Sequence, residues 1–484
     1  MGGIFLSEKK TFDLLVLGGG PGGYTAAFRA ADLGLHVCLV ENRKQLGGVC
    51  LNAGCIPSKT LLHCAKVIEE ARNITAFGIG YGPPDINLND LRAKKNAVIK
   101  QLTDGLDGLA KSRKVVRFSG TGVFEDRHTL KVTTAQGEEQ IRFERCIVAT
   151  GSRPVTLPDQ PDHPLIWDAA DALDLNFIPK RLLVVGGGVI GLGMAQVYHA
   201  LGSEITIVEM ADRILPPADK DLVQPLFLKL KKLYTILTRA KVTGISTEDE
   251  AVTVGVEQAG EDKTGEYDAV LVAVGRRPNS GRIGLENIGL STDTNGFIQV
   301  DQRQRTQIDN IFAVGDLVGE PMLAHKATHQ GKVAAEVCAG RAAAFDAMGI
   351  PSVAYTIPEV AWVGLTETAA KENNIEYEKG KFPWGASSRA LSADAAIGTT
   401  KVLFSKETGR LVGAGICGIN SGELIQEAVL ALEMGANARD IARTIHAHPT
   451  LSETFAFASE MVDGSITDAM MPPGKKVNVK RSEF

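Results

Sequence analysis

The sequence has no apolar run of membrane-spanning length, so nothing in it reads as a transmembrane helix. It has no basic excess either. The formal net charge is −5, which offers no electrostatic footprint to a nucleic acid or an anionic membrane. Cysteine is scarce, with 7 in 484 residues, too few for a disulfide framework. No second Cys/His pair stands at ligand spacing beside the closest cysteines, which argues against a zinc site. The first ten residues carry neither a secretory core nor an Arg-rich transit pattern. These absences lead to the expectation of a reducing, cytoplasmic location. What remains, 44% hydrophobic and 23% charged residues, is the composition of a soluble globular chain. The length suits about three domains.

Glycine is abundant, and it is patterned. An apolar strand from Phe12 to Leu17 runs into Gly18-Gly19-Gly20-Pro21-Gly22-Gly23. An Ala-rich helix to about Leu33 follows, then a strand from His36 to Val40 ending at Glu41. Strand, Gly-x-Gly-x-x-Gly, helix, strand and acid together form a dinucleotide-binding unit. Gly18 makes the turn, Gly20 admits a pyrophosphate to the backbone, Gly23 lets helix and strand approach, and Glu41 accepts from ribose hydroxyls. The unit recurs at a constant offset of 168 positions: Gly186, Gly188, Gly191 and Glu209 repeat Gly18, Gly20, Gly23 and Glu41. Two such modules bind two dinucleotides. A carboxylate at 209 favours a free 2′-hydroxyl over a 2′-phosphate, hence NAD over NADP.

Cys50 and Cys55 lie five residues apart, between glycines and Lys59. In an ideal helix this spacing separates Cα atoms by about 8.6 Å, whereas a disulfide needs about 4.4–6.8 Å. A bond between them therefore requires a bend, and Gly54 is the place for it. Such a strained, accessible disulfide is the reducible kind. The spacing alone leaves open two ordinary buried thiols.

Beyond the cysteines, helices are expected over 61–74 and 88–111, with Lys111 to Lys114 a solvated basic face. Gly/Pro turns follow at 149–154 and 273–278. A buried strand ends at Gly315-Asp316. From about Gly349 the composition shifts to strands near 353–365, 402–404 and 411–416, and helices over 423–434 and 438–445. The domain closes on His446-Ala447-His448-Pro449-Thr450-Leu451-Ser452-Glu453, where the residues alone do not choose between His446 and His448. The end, Lys475 to Phe484, is basic and expected to fray.

Gly47-Gly48-Val49-Cys50-Leu51-Asn52-Ala53-Gly54-Cys55-Ile56-Pro57-Ser58-Lys59 resembles the redox-active segment of the pyridine nucleotide–disulfide oxidoreductases, and the resemblance covers nearly the whole chain. It implies an α/β fold with two Rossmann-like dinucleotide-binding domains plus an α+β C-terminal dimerisation domain. The implied divisions are 1–152 for FAD, 153–280 for NAD, 281–348 completing the FAD site and 349–484 at a homodimer interface. The resemblance makes Cys50 and Cys55 a redox disulfide, with Cys50 outermost and Cys55 nearer the flavin. It selects His448 as acid–base, oriented by Glu453 and serving the cysteine pair of the other subunit.

For FAD it implies Gly18, Gly20, Pro21, Gly23, Glu41, Lys59 and Gly122. It adds Thr150, Gly151 and Ser152, then Asp316 on the ribityl chain and Met322-Leu323-Ala324-His325 along the flavin. For NAD it implies Gly186, Gly188, Gly191, Glu209, Val242 and Gly275.

Within the family the chain is most similar to the branch that oxidises dihydrolipoyl groups. The implied partner is a lipoyl-bearing acyltransferase subunit or lipoyl carrier protein on a separate polypeptide. Mercuric ion reductases carry a C-terminal cysteine pair, whereas this chain has no cysteine after Cys417. Glutathione-type reductases usually prefer NADP, which Glu209 opposes. One departure stands out: Gly193 replaces the family's usual glutamate partner of the lysine at 59. It raises the alternative of a mainly structural flavoprotein with weakened catalysis, and predicts an altered flavin potential or slower hydride transfer.

Overall fold

The computed structural model describes residues 10–248 and 250–470; the tail expected to fray lies outside them. The chain opens with β1 (Lys10–Leu17), α1 (Pro21–Asp32) and β2 (Val37–Glu41). Then come α2 (Gly48–Ala53), α3 (Cys55–Asn73), α4 (Leu88–Ser112), β3 (Val116–Ser119), β4 (Thr121–Asp126), β5 (Thr129–Thr134) and β6 (Gly137–Val148). The first sheet has the order β3-β2-β1-β6-β5-β4. β1 is apolar without alternation because both faces are covered. Leu15 and Leu17 join Cys38 and Val40 on one face, while Leu14 and Val16 join Val37 and Leu39 on the other. β6 changes character along its length. Its first half pairs antiparallel with β5 and alternates in burial; its last residues pair parallel with β1 and are buried throughout.

The second module repeats the plan. Its elements are β7 (Ser152–Pro154), β8 (Ile166–Trp167), α5 (Ala169–Asp174), β9 (Arg181–Val185), α6 (Val189–Leu201), β10 (Glu204–Glu209), α7 (Lys220–Leu230) and β11 (Thr235–Thr238). An antiparallel meander of β12 (Ala240–Glu248), β13 (Ala251–Gln258) and β14 (Glu261–Tyr267) precedes β15 (Ala269–Val272) and β16 (Arg276–Pro278). The parallel sheet runs β11-β10-β9-β15-β8, and β16 pairs with β7 where the chain crosses between the modules.

The chain then returns to the first module. β17 (Ile311–Ala313) adds to β6 in parallel, and Ile283, Leu285 and Ile288 join the core of Phe124 and Leu130. The expected strand is short: only Ile311–Ala313 pair in the sheet, with Val314 extended beyond them. α8 (Ala324–Cys338), not foreseen as a helix, crosses α1 so closely that a Cβ on Gly331 would lie 2.4 Å from the Gly22 carbonyl oxygen.

The last part holds β18 (Ser352–Ala354), β19 (Glu359–Gly364), α9 (Glu367–Glu372), β20 (Tyr377–Pro383), α10 (Ser388–Ser392), β21 (Thr399–Ser405) and β22 (Leu411–Gly418). It ends with α11 (Ser421–Glu433), α12 (Ala438–Arg443) and α13 (Glu453–Asp463). Its antiparallel sheet, β18-β19-β22-β21-β20, has a core around Phe382, Trp384, Ile416 and Phe455. Among the described residues no helix is long and apolar enough to cross a membrane.

Candidate active site

The two glycine turns are built alike. Gly18 and Gly186 have φ of +109° and +110°, a region that suits glycine. A Cβ there would lie 2.3 Å from the Ala149 oxygen and 2.4 Å from the Ala273 oxygen, respectively. Gly23 and Gly191 sit one helical turn in, where a Cβ would strike the carbonyl oxygens of Gly18 and Gly186 at 1.8 and 2.0 Å. These two line no part of the cavity; they bring helix and strand together. α1 and α6 begin at Gly20 and Gly188 with no side-chain cap, leaving their first N–H groups free for an anion. Glu41 accepts from Gly19 N at 2.5 Å and Arg43 N at 2.8 Å. Glu209 accepts from Gly187 N and Ala211 N, both at 2.7 Å. Each carboxylate is thus fixed by two backbone donors and keeps lone pairs for ribose hydroxyls.

Both turns open into one cavity of about 2500 Å³, well above the several hundred Å³ of a single small-ligand pocket. Gly18, Gly20, Pro21, Glu41, Lys59, Gly122, Thr150, Gly151, Ser152, Asp316 and Met322 to His325 line it. So do Gly186, Gly188, Glu209, Val242 and Gly275, and so do Cys50 and Cys55.

The cysteine pair lies where the bend was expected. α2 stops at Ala53, Gly54 leaves helical geometry at φ −153° and ψ −109°, and Cys55 opens α3. A Cβ on Gly54 would meet the Val49 carbonyl oxygen at 2.9 Å. Both cysteines are free thiols here, the reduced form of the pair. They differ in acidity. The hydrogen bond from Cys50 holds the Cys55 thiol below its ordinary value despite burial, with help from Lys59 and the backbone at the start of the helix. Cys50, donating that bond and buried, is pushed up. Burial pushes Lys59 down, opposed by the two thiols. Its Nζ lies 4.3 Å from the Tyr355 ring centroid, and among the described residues it forms no ion pair. Gly193, on the adjacent α6, has open space: a Cβ there would meet only Leu62 Cδ1, at 3.8 Å.

Around Asp316, Ser152 donates to Oδ2 and receives a bond from Arg276 Nε at 2.7 Å; Arg276 Nη2 donates to the Ser152 carbonyl at 2.7 Å. Arg276, Tyr355 and Tyr24, which lies within electrostatic reach of both thiols, were not anticipated as site residues. Arg276 had a visible signal in the turn that mirrors 149–154. His325 Nε2 is engaged by the Pro351 carbonyl at 2.8 Å.

His448 and Glu453 meet each other but not the cysteines of their own chain: neither lines the cavity. His448 Nδ1 lies 2.8 Å from Glu453 Oε1, whose other oxygen accepts from Thr450 N at 2.7 Å. The side chain of His448 is 70% exposed. The carboxylate faces Nδ1, and Nε2 has no hydrogen-bond partner among the described residues. His446 instead has both ring nitrogens engaged, by the Thr444 carbonyl and by Glu427.

Residues 12–331 match the family described as pyridine nucleotide-disulphide oxidoreductase. The chain belongs to that family. Residues 350–459 match the family's dimerisation domain, which supports a homodimer. A dihydrolipoyl dehydrogenase of Vibrio cholerae is 50% identical over 473 residues, covering 97% of this chain and 100% of its own. One of Haemophilus influenzae is 50% identical over 465 residues, covering 96% and 97%. Among solved structures, LpdA of Mycobacterium tuberculosis superposes with a TM-score of 0.85 at 26% identity, covering 94% of this chain and 99% of its own. The copper complex of the flavoprotein disulfide reductase RclA of Escherichia coli gives 0.83 at 27%, covering 94% and 100%.

The family's cofactors fit the residues present. The first cradle and the Ser152–Asp316 wall suit FAD; the second cradle, with Glu209 facing the ribose position, suits NAD.

Proposed function

We infer that this protein is a dihydrolipoyl dehydrogenase, oxidising dihydrolipoyl groups to the cyclic disulfide with reduction of NAD. The observation that carries this reading is the Cys50–Cys55 pair, bent together at Gly54 beside Lys59, in one cavity with two dinucleotide cradles. Nε2 of His448 takes the proton of one substrate thiol. That thiolate attacks Cys50 of the oxidised pair, the Cys50–Cys55 bond breaks, and Cys55 leaves as thiolate. Lys59 and the backbone at the start of α3 favour its thiolate at this step, when Cys50 carries the substrate and has no proton to donate, and make it the better leaving group. The second substrate thiol then attacks the first sulfur, closing the lipoyl ring; Cys50 departs with the proton held by His448, and Nε2, free again, takes the proton of that second thiol. FAD, held by the first cradle, supplies the two-electron bridge from the reduced pair to NAD.

His448 serves the cysteines of the partner subunit, a reading supported by its exposure and its absence from its own chain's cavity. The physiological substrate is a lipoyl group on a separate acyltransferase subunit or carrier protein. Seven cysteines in 484 residues are too few for a disulfide framework, which supports a reducing, cytoplasmic location.

Anaerobic titration with dihydrolipoamide, followed by NAD, tests the reading. The expected result is a long-wavelength thiolate–flavin absorbance that NAD bleaches as NADH appears. A band with dithionite but none with dihydrolipoamide would overturn the substrate assignment and leave the redox pair standing.

A further inference from the structure

His446 takes no part in these steps, yet it is the more deeply held of the two histidines, with 8% of its side chain exposed. Nδ1 lies 2.8 Å from the Thr444 carbonyl oxygen, and Nε2 lies 2.7 Å from Glu427 Oε1 on α11. A carbonyl and a carboxylate are acceptors only. A neutral imidazole carries one N–H and one lone pair, so either tautomer would set lone pair against lone pair at one contact. The imidazolium satisfies both. The loop between α12 and α13 therefore carries two histidines in different states. His446 has both ring nitrogens against acceptors, the arrangement of an imidazolium; His448 has Nδ1 against Glu453 and Nε2 unengaged.

The contact also has a mechanical consequence. Thr450 bonds within the loop, to Ala447 O at 2.7 Å, and Glu453 ties the loop to the start of α13. Among the described residues, His446–Glu427 is the polar side-chain tie between this loop and α11.

We propose that His446, as an imidazolium clamped to Glu427, is the positioning residue that holds the His448 loop in register with the cysteine pair. This rests on the reading of His448 as the base. Glu427, ahead of the opposing effect of burial, raises the proton affinity of His446, and the Thr444 carbonyl adds to it. The charged groups facing the ring are Glu427 from α11 and Glu453 and Glu460 from α13, all acidic. The sign follows: the clamp is closed below the raised value and opens as pH climbs through it. It contributes an alkaline limb to the lipoyl half-reaction alone.

The test compares His446→Gln and Glu427→Gln with the wild-type holoenzyme in two assays. Dihydrolipoamide oxidation needs His448; reduction of ferricyanide by NADH does not. The expected result is a fall of about tenfold in kcat/KM for dihydrolipoamide, the scale of a misplaced base. NADH–ferricyanide turnover should stay within about twofold, and the alkaline limb should move to lower pH in Glu427→Gln. Ring-¹⁵N histidine NMR of the wild type reads the clamp independently of activity, with one buried histidine doubly protonated at neutral pH. Parallel losses in both assays, or a neutral tautomer at His446, would overturn the proposal. A wild type that does not turn over dihydrolipoamide but shows the imidazolium would fail the functional reading and leave the clamp intact.

Discussion

At the residue scale, Lys59 is the cation beside the reduced pair and favours its thiolate. It has burial against it, an aromatic ring beside it at 4.3 Å and, among the described residues, no carboxylate partner. Its charge acts on both thiols, adding at Cys55 to the hydrogen bond from Cys50. Placing a carboxylate nearby would compete for that charge. Gly193 is the position to do it, since only Leu62 Cδ1 comes within 4 Å of a Cβ there. In Gly193→Glu the pH at which the reduced enzyme develops its thiolate–flavin band should move upward, and the flavin midpoint potential should shift with it. Titrating absorbance against pH in the reduced enzyme checks this. An unchanged midpoint would mean that Lys59 and position 193 do not communicate. Removing the other carboxylate partner is more severe. Glu453→Gln turns an acceptor of two bonds into an amide that cannot fix His448 Nδ1–H as firmly. Dihydrolipoamide turnover should fall by about 100-fold or more, with NADH–ferricyanide activity retained.

At the element scale, the two strand–glycine–helix units are twins that can be broken one at a time. A methyl on Gly23 would sit 1.8 Å from the Gly18 oxygen, and one on Gly191 would sit 2.0 Å from the Gly186 oxygen. Neither can be absorbed without moving a helix. Gly23→Ala should give protein that loses flavin on gel filtration. Gly191→Ala should keep its flavin and raise the KM for NAD, read from absorbance ratio and steady-state kinetics. Equal flavin loss in both variants would show that the modules do not fail separately.

This duplication is also why so much of the fold was legible. Turn glycines, a buried strand and an acid at fixed offsets are local signals, and their repetition at 168 positions made them specific. The bend at Gly54 could likewise be argued from disulfide geometry alone. Other elements carried no local signal. α8 crosses α1 at contact distance through Gly331 and buries alanines there, so its buried face lacks the large apolar residues that mark a helix. The role of His446 depends on Glu427, 19 residues earlier on another helix, and no spacing rule connects them. Arg276 reads in sequence as part of a Gly/Pro turn; only the pairing of β16 with β7 brings it to Ser152.

At the scale of the whole molecule, two junctions hold the parts in working order. The first joins the second module to the C-terminal sheet. Asp219 and Asp221 at the start of α7 and Glu367 on α9 lie close enough to ligate a cation, but Lys401 Nζ from β21 sits among them at 2.5, 2.7 and 3.0 Å. Lys401 is 2% exposed. Lys401→Met would leave the buried Asp219 charge unpaired, at a cost of about 3–5 kcal/mol, seen as a lower denaturant midpoint. Burial alone would raise the proton affinities of Asp221 and Glu367, yet Lys401 holds both carboxyl groups below their usual range. Their contribution is therefore present above the unfolded carboxylate value and lost as pH falls through the lower folded values.

The second junction is the one between subunits, and it makes the sharpest claim. If each catalytic centre takes its cysteines from one chain and His448 from the other, two inactive variants can repair each other. In a mixed dimer of Cys50→Ser and His448→Gln chains, one centre combines both lesions and the other combines neither. Random reassociation makes about half the dimers mixed, each with one intact centre of two, so about one quarter of wild-type dihydrolipoamide activity should return. Were each centre complete within one chain, every centre in the mixture would still carry one lesion, and no activity would return. Measuring turnover before and after mixing, unfolding and refolding the two inactive proteins together separates the two arrangements without any structural method.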